Sequence, residues 1–506
     1  MSAVDSSAPV SADVQSSGGL RRNAVGLTGA VIMSAAIMGP AVSTFFNPQF
    51  STPFSGDATP FVYAACLVAI LITASGIIEM ATEFPSAGAF YTYVTRGLGP
   101  RAGFVTGALM FVAYALLPPA EIGLIGSFLQ GTFQTEFSVN IPWWIIGMVP
   151  ALIMVFLGLE GIRASLRTAL VLFSLEVAVV LLLAIIIVIN GGHSGLTLHP
   201  FNPGASSHGF HGLVTGWVFA ALSFVGFEGA TTLGHEVREP RRIVPRAVML
   251  SVLAVGLLYV FCVWAEVVGL GPKATNGLTG SSAPWTNLAA TYASWMKWPV
   301  IIASVSSMFA VMINSANGIS RILNTMGKEG LLPKSLGFID PKRMTPSRAV
   351  FLTGAFAIGC ALIVGAMSGG LGSPSGGSNV YGYLGFLLTL GILPVYILTN
   401  LAAARHFAAQ KRFKMIRHGV LPIGGGALMA GLLIGQIVEQ TGPPYTWFPW
   451  VIVGWVVAAA AVAVWLSVAR PQSLQLAGSV LATGAIDEAK LTDQFLHDPR
   501  AADHEV

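Results

Sequence analysis

Apolar runs long enough to cross a bilayer recur along this chain, and they constrain its fold more than any other feature. The segment LVLFSLEVAVVLLLAIIIVI (170–189) is one of them. In a hydrocarbon environment every backbone polar group must be satisfied within the segment, so such runs become helices. We place twelve spans at roughly 24–46, 60–81, 103–130, 142–159, 167–190, 211–234, 244–270, 286–320, 347–367, 381–404, 419–438 and 446–468. The eighth is too long for one straight crossing and is expected to continue into the following loop. Composition agrees: 54% of the 506 residues are hydrophobic and 9% charged, with a mean hydropathy of +0.73. A soluble fold of this size carries far more charge. The sequence therefore reads as an all-α integral membrane protein in a lipid bilayer. A net charge of +4 gives no reason to expect a nucleic-acid partner.

The basic residues orient the spans. All but Lys273 and Lys297 of the 26 Lys and Arg fall before the first span, in the even-numbered connections or in the tail. By the positive-inside rule both termini are then cytoplasmic, in a multi-pass protein of the cytoplasmic membrane. Arg238, Arg241, Arg242 and Arg246 after the sixth span are topology anchors on this reading, not a ligand site. Residues 1–22 are polar and Ser/Ala/Gly-rich, which predicts a disordered cytoplasmic segment and no cleavable signal. The segment after 469 reads as a loose cytoplasmic tail. Cys66, Cys262 and Cys360 lie inside apolar runs without CxxC partners, so neither a disulfide framework nor a metal site is expected. His193, His199, His208 and His211, between the fifth and sixth spans, match no metal motif. No cofactor is expected.

Two spans are interrupted. The first contains IMGPAVS (37–43), and the sixth contains SFVGFEG (223–229). Proline removes a backbone donor and glycine weakens a helix. Freed backbone is tolerated at membrane depth only where protein or a cavity satisfies it. The two breaks lie five spans apart, an odd number, so the second unit of five enters the membrane inverted. Matching breaks in inverted halves point to the central site of a transporter. Free amides there suit an anionic group and free carbonyls a cation; an amino acid needs both.

Several blocks carry a family resemblance: FVGFEGATTLGHEVREPRRIVPRAV (224–248), EFPSAGAFYTYVTRGLGPRAGFVTG (83–107), NSANGISRILNTMGKEGLLPKSLGFIDPKRMTPSRAV (314–350), YGYLGFLLTLGILPVYILTNLA (381–402) and GPPYTWFPWVIVGW (442–455). In this order they resemble the amino acid–polyamine–organocation (APC) superfamily of transporters, from about residue 22 to 468. The resemblance implies a LeuT-type 5+5 inverted repeat with two additional C-terminal helices and with helices 1 and 6 broken. Repeat one then covers about 23–190, repeat two about 211–404, and the extra helices about 419–468, within a transporter domain of 23–469. It also implies that a substrate carboxylate binds around Met38, Gly39, Ala41 and Val42, and an amino group at the carbonyls of Ser223, Phe224, Val225 and Gly226. Pro40 has no amide, so the donor pattern must depart from the family's glycine-rich version. Where the family often has a gating aromatic, this chain has Leu222; Phe224 or Phe227 takes over, or the pocket is smoother.

Acids inside the spans are candidate proton carriers. Glu228 matches the family's inner-gate position, or bonds the broken backbone. Glu176 aligns where several sodium-independent members carry a lysine, with the charge reversed; it is expected to couple transport to a proton first, or to sodium. The resemblance places Ala303, Ser306 and Ser307 at the spacing used by sodium sites in related LeuT-type transporters; the small residues otherwise simply allow close helix packing. Glu121 follows Pro118 and Pro119 and either meets a cationic substrate or bonds backbone freed by the prolines. Tyr396 is read as an outer-gate hydroxyl or a packing residue. The expected function is secondary active transport of amino acids by alternating access and proton-coupled symport, with sodium-coupled symport, exchange and polyamine or amine transport as alternatives. A nutrient sensor on the same fold would often carry a large soluble domain. A membrane enzyme would need a catalytic set that the spans lack, and a channel has no need of inverted halves.

Overall fold

In the computed structural model the described residues are 25–85, 89–160, 166–233, 237–271, 283–328, 332–343, 345–410, 412–438 and 442–469. The expected N-terminal segment 1–22, the tail 470–506 and Lys273 lie outside them.

The described residues form helices and no strand. In chain order these are α1 (Leu27–Ile37), α2 (Pro40–Phe45), α3 (Asn47–Ser55), α4 (Thr59–Glu83), α5 (Ala89–Leu98), α6 (Pro100–Ala115), α7 (Leu117–Phe137), α8 (Trp143–Glu160) and α9 (Leu166–Ile189). Then follow α10 (Gly209–Phe224), a 3₁₀ segment Phe227–Leu233, α11 (Pro240–Leu270), α12 (Pro284–Tyr292), α13 (Lys297–Lys328), α14 (Ser347–Ser368), α15 (Pro374–Ala409), α16 (Leu421–Val438) and α17 (Phe448–Ala469). Proline opens many of them, including α2, α6, α11, α12 and α15. At N1 its missing N–H would have had no partner in any case.

Eleven stretches among the described residues are long and apolar enough to cross a membrane, one fewer than the sequence led us to expect. The difference lies in the first span. Its apolar run is divided between the short helices α1 and α2, so neither reaches spanning length. Two other spans differ in shape from the expectation. The third is divided at Leu116 into α6 and α7. Pro118 and Pro119 supply no amides to the preceding turn, and the Leu116 N–H is shared between Val112 O and Ala113 O at 3.3 Å each. The long eighth span does not run as one helix from 286. It separates at Ala293 into α12 and α13, and α13 continues to Lys328.

Burial separates a centre from a rim. The Gly209–Thr231 span is 78% buried and the α15 span 72%, whereas those of α8 and α17 are 22% buried. The first two therefore form the core, and the latter two present apolar side chains such as Phe156, Val457 and Trp465 outward. Small residues bring the central helices together. Gly123 of α7 and Gly377 of α15 meet so closely that a Cβ on either would lie 2.6 Å from the other's carbonyl oxygen.

Candidate binding site at the two helix interruptions

α1 stops at Ile37, and α2 starts at Pro40. Between them Gly39 adopts φ +55°, ψ +72°, the left-handed region that an L side chain enters only at a cost. A Cβ there would also meet Val42 Cγ1 at 2.7 Å and Val311 Cγ2 at 2.8 Å. The turn is fixed from two sides. Met38 O accepts hydrogen bonds from Ser43 Oγ at 2.7 Å and Tyr259 Oη at 3.0 Å.

The second interruption follows α10. Val225 is extended, and Gly226 has φ +103°. The two interruptions touch: a Cβ on Gly226 would stand 3.1 Å from the Ile37 carbonyl carbon. Ser34 Oγ, on α1, donates to Phe227 O at 2.5 Å, and the Ala230 N–H donates to Ser34 Oγ at 3.4 Å. The two interruptions thus meet through Ser34, Ile37 and Ser43 on one side and Ser223, Gly226 and Phe227 on the other.

The amides of α2 already have partners. Ala41 N–H donates to Glu176 Oε1 at 2.9 Å, and Val42 N–H to Ser307 Oγ at 3.2 Å. The Ser307 hydroxyl also faces Glu176. Glu176 is 8% exposed and Ser307 1%, so α9 and α13 hold a carboxylate and a hydroxyl against the first interruption. Ser306, one residue before it, is only half-buried; about 100° of helical rotation separates it from Ser307, and no hydrogen bond joins it to Glu176 among the described residues. Ala303 is buried. No group of three or more His, Cys, Asp or Glu suited to a metal ion occurs among the described residues.

Glu228 is a bridge. Tyr114 of α6 donates a short hydrogen bond to its Oε1, while Tyr396 of α15 at 3.4 Å and the Gly226 N–H at 3.2 Å donate to Oε2. One carboxyl group therefore ties two helices to the second interruption. Tyr396 is more than a packing residue, although its ring does pack on Phe90 and Phe227. Leu222 is buried and lies over Gly385 of α15. Glu121 is 1% exposed, and its Oε2 has no hydrogen-bond partner among the described residues. The bond to proline-freed backbone is not seen for that oxygen.

Several polar residues at this site escaped the sequence reading. Asn47 of α3 donates to Ser223 Oγ at 2.8 Å and accepts from Tyr381 Oη at 2.6 Å. Tyr63 of α4 hydrogen-bonds Ser223 Oγ at 3.1 Å. Tyr114 and Tyr259 also escaped, as did Glu266 of α11, which is fully buried. Glu266 alone had a usable signal: a carboxylate inside the apolar run FCVWAEVVGL (261–270).

A helical bundle of apolar spans around a buried, hydrogen-bonded polar centre defines a multi-pass membrane protein. Residues 54–470 match the amino acid permease family, and the chain belongs to that family of transporters. It is 25% identical over 342 residues to the low-affinity putrescine importer PlaP of Escherichia coli (strain K12), covering 67% of this chain and 74% of that one. To the branched-chain amino acid permease BcaP of Bacillus subtilis (strain 168) it is 27% identical over 343 residues, with 64% and 70% covered. It is also similar to the S-adenosylmethionine permease GAP4 of Candida albicans, 26% identical over 298 residues, with 57% and 48% covered.

Proposed function

We propose that this protein carries small amino acids across the cytoplasmic membrane by alternating access, coupled to protons through Glu176. Counting α1 and α2 as one interrupted crossing gives twelve crossings. On this reading α1–α2 and α10 with its 3₁₀ segment are the half-helices of two inverted units of five, α16 and α17 are the additional pair, and both termini are cytoplasmic. The substrate carboxylate binds the amides around Met38, Gly39, Ala41 and Val42. Its ammonium binds the carbonyls of Ser223 to Gly226, against Phe224 and Phe227. Leu222, Glu228 and Tyr396 move with the gates.

The observation that carries the coupling is the Ala41 N–H bond to Glu176 at 2.9 Å. A carboxylate there competes for the donor that the substrate carboxylate needs, and two like charges disfavour each other at low dielectric. A proton on Glu176 weakens its hold on Ala41 and removes the repulsion. Proton and substrate then bind cooperatively, as symport requires. Amide N–H groups cannot ligate sodium, which needs a cage of oxygens. Sodium coupling through Ser306 and Ser307 is the alternative, and a sodium-gradient arm tests it.

In proteoliposomes, Glu176→Gln should retain counterflow of a labelled amino acid yet lose accumulation driven by an inward proton gradient. Full gradient-driven accumulation by the variant would sink the coupling role. A second reading, transport of an amine, is favoured by the unpartnered Glu121 Oε2 and by the relative described as a putrescine importer. Glu121→Gln separates them: amine uptake should collapse on the second reading, while neutral amino acid uptake survives on the first.

A further inference from the structure

Glu266 lies on α11, one turn before the helix ends at Leu270. It is 0% exposed, and neither carboxyl oxygen has a hydrogen-bond partner among the described residues. Trp285 of α12 faces it, but the indole N–H is also unpartnered. Three polar atoms, two acceptors and one donor, thus look into the contact between α11 and α12 without satisfying one another. An ionised carboxylate in that position loses its solvation with no hydrogen bond in return.

We infer that Glu266, in the polar contact between α11 and α12, is a second proton-binding site, distinct from Glu176 and reached by water when α12 shifts. The surroundings select the proton over other cations. A sodium ion needs several oxygens, and Glu266 offers only its own two. An ammonium group would meet the indole N–H, a donor that offers it no lone pair. The titratable groups that face Glu266 are Tyr63 of α4 and Cys262 on its own helix. α1 and α2 have no charged side chain. α9 and the 3₁₀ segment bring Glu176 and Glu228, each already bonded to Ala41 or Tyr114. At the helix end Tyr292 Oη donates to Gly269 O at 2.9 Å, and the His193 N–H donates to Val268 O at 3.1 Å.

Two contacts tie the site to the helix interruptions. The Trp285 ring packs on Phe45 of α2, with centroids 4.8 Å apart, so a tilt of α2 moves the cover over Glu266. Tyr63, which faces Glu266, hydrogen-bonds Ser223 Oγ at 3.1 Å. Loading Glu266 with a proton and rearranging the second interruption are thereby coupled. Only this consequence rests on the transport reading; the site can be tested without any substrate.

The test is infrared difference spectroscopy of the full chain in liposomes, titrated in pH, for the wild type and Glu266→Gln. The expected result is a carboxylic acid carbonyl band present at low pH, lost at high pH and missing from Glu266→Gln. A Glu266 band that persists at every pH would overturn the inference, since the acid is then a permanently neutral packing group. So would spectra in which Glu266→Gln removes no band. If Glu266→Gln does not assemble, Trp285→Phe takes its place. Removing the polar N–H that faces the carboxyl should move the midpoint of one carbonyl band, and a titration it leaves unmoved overturns the inference.

Discussion

At the scale of the residue, two glycines and two carboxylates define the site. Gly39 and Gly226 hold the chain at φ +55° and +103°. Those values let the helix stop and restart while the two interruptions press together. Gly226→Ala would place a methyl carbon 3.1–3.2 Å from the Ile37 carbonyl group and force a strained backbone, a cost of about 1–3 kcal/mol. We expect a lower thermal midpoint in detergent and loss of uptake; an unchanged midpoint with normal uptake would show that the turn tolerates a side chain. The sequence showed much of this scale, because glycine, proline and glutamate are conspicuous within apolar runs. Glu176 and Glu228 stood out for that reason. Glu266 carried the same signal but sits near the end of its span, where an acid passes for an interfacial residue.

At the scale of the element, Glu228 joins α6, α15 and the second interruption through Tyr114, Tyr396 and the Gly226 amide. Each such hydrogen bond contributes about 0.5–1.5 kcal/mol. Tyr114→Phe and Glu228→Gln should therefore each lower stability, and together by less than the sum, because both remove the same link. Additive shifts in thermal midpoint would mean that the two groups act independently. The tyrosines and Asn47 were not legible in the sequence. Asn47 and Ser223 are 176 residues apart, and Tyr381 and Asn47 are 334 apart. A tyrosine or asparagine in an apolar run gives no hint of such a distant partner. Element boundaries were legible only where a residue forced them. Pro118 and Pro119 mark the α6–α7 division, yet nothing in the hydropathy of residues 286–320 distinguished α12 from α13.

At the scale of the whole molecule, hydropathy made the membrane-spanning helical class plain, and the ordered sequence blocks pointed to a transporter superfamily. The matching family of amino acid permeases covers residues 54–470. The count of spans was less legible, because a break in mid-span leaves an apolar run intact while dividing the helix. The proposed carriage would draw on the entire bundle, and the proposed coupling links the first interruption, α9 and α13 through Glu176, Ala41 and Ser307. The most direct test is uptake of a labelled amino acid mixture into substrate-free proteoliposomes with an inward proton gradient and no sodium. Protein-free liposomes and a sodium-gradient arm run in parallel. Accumulation above the protein-free control, abolished by a protonophore, is the result this account expects. Uptake that appears only with the sodium gradient would contradict it.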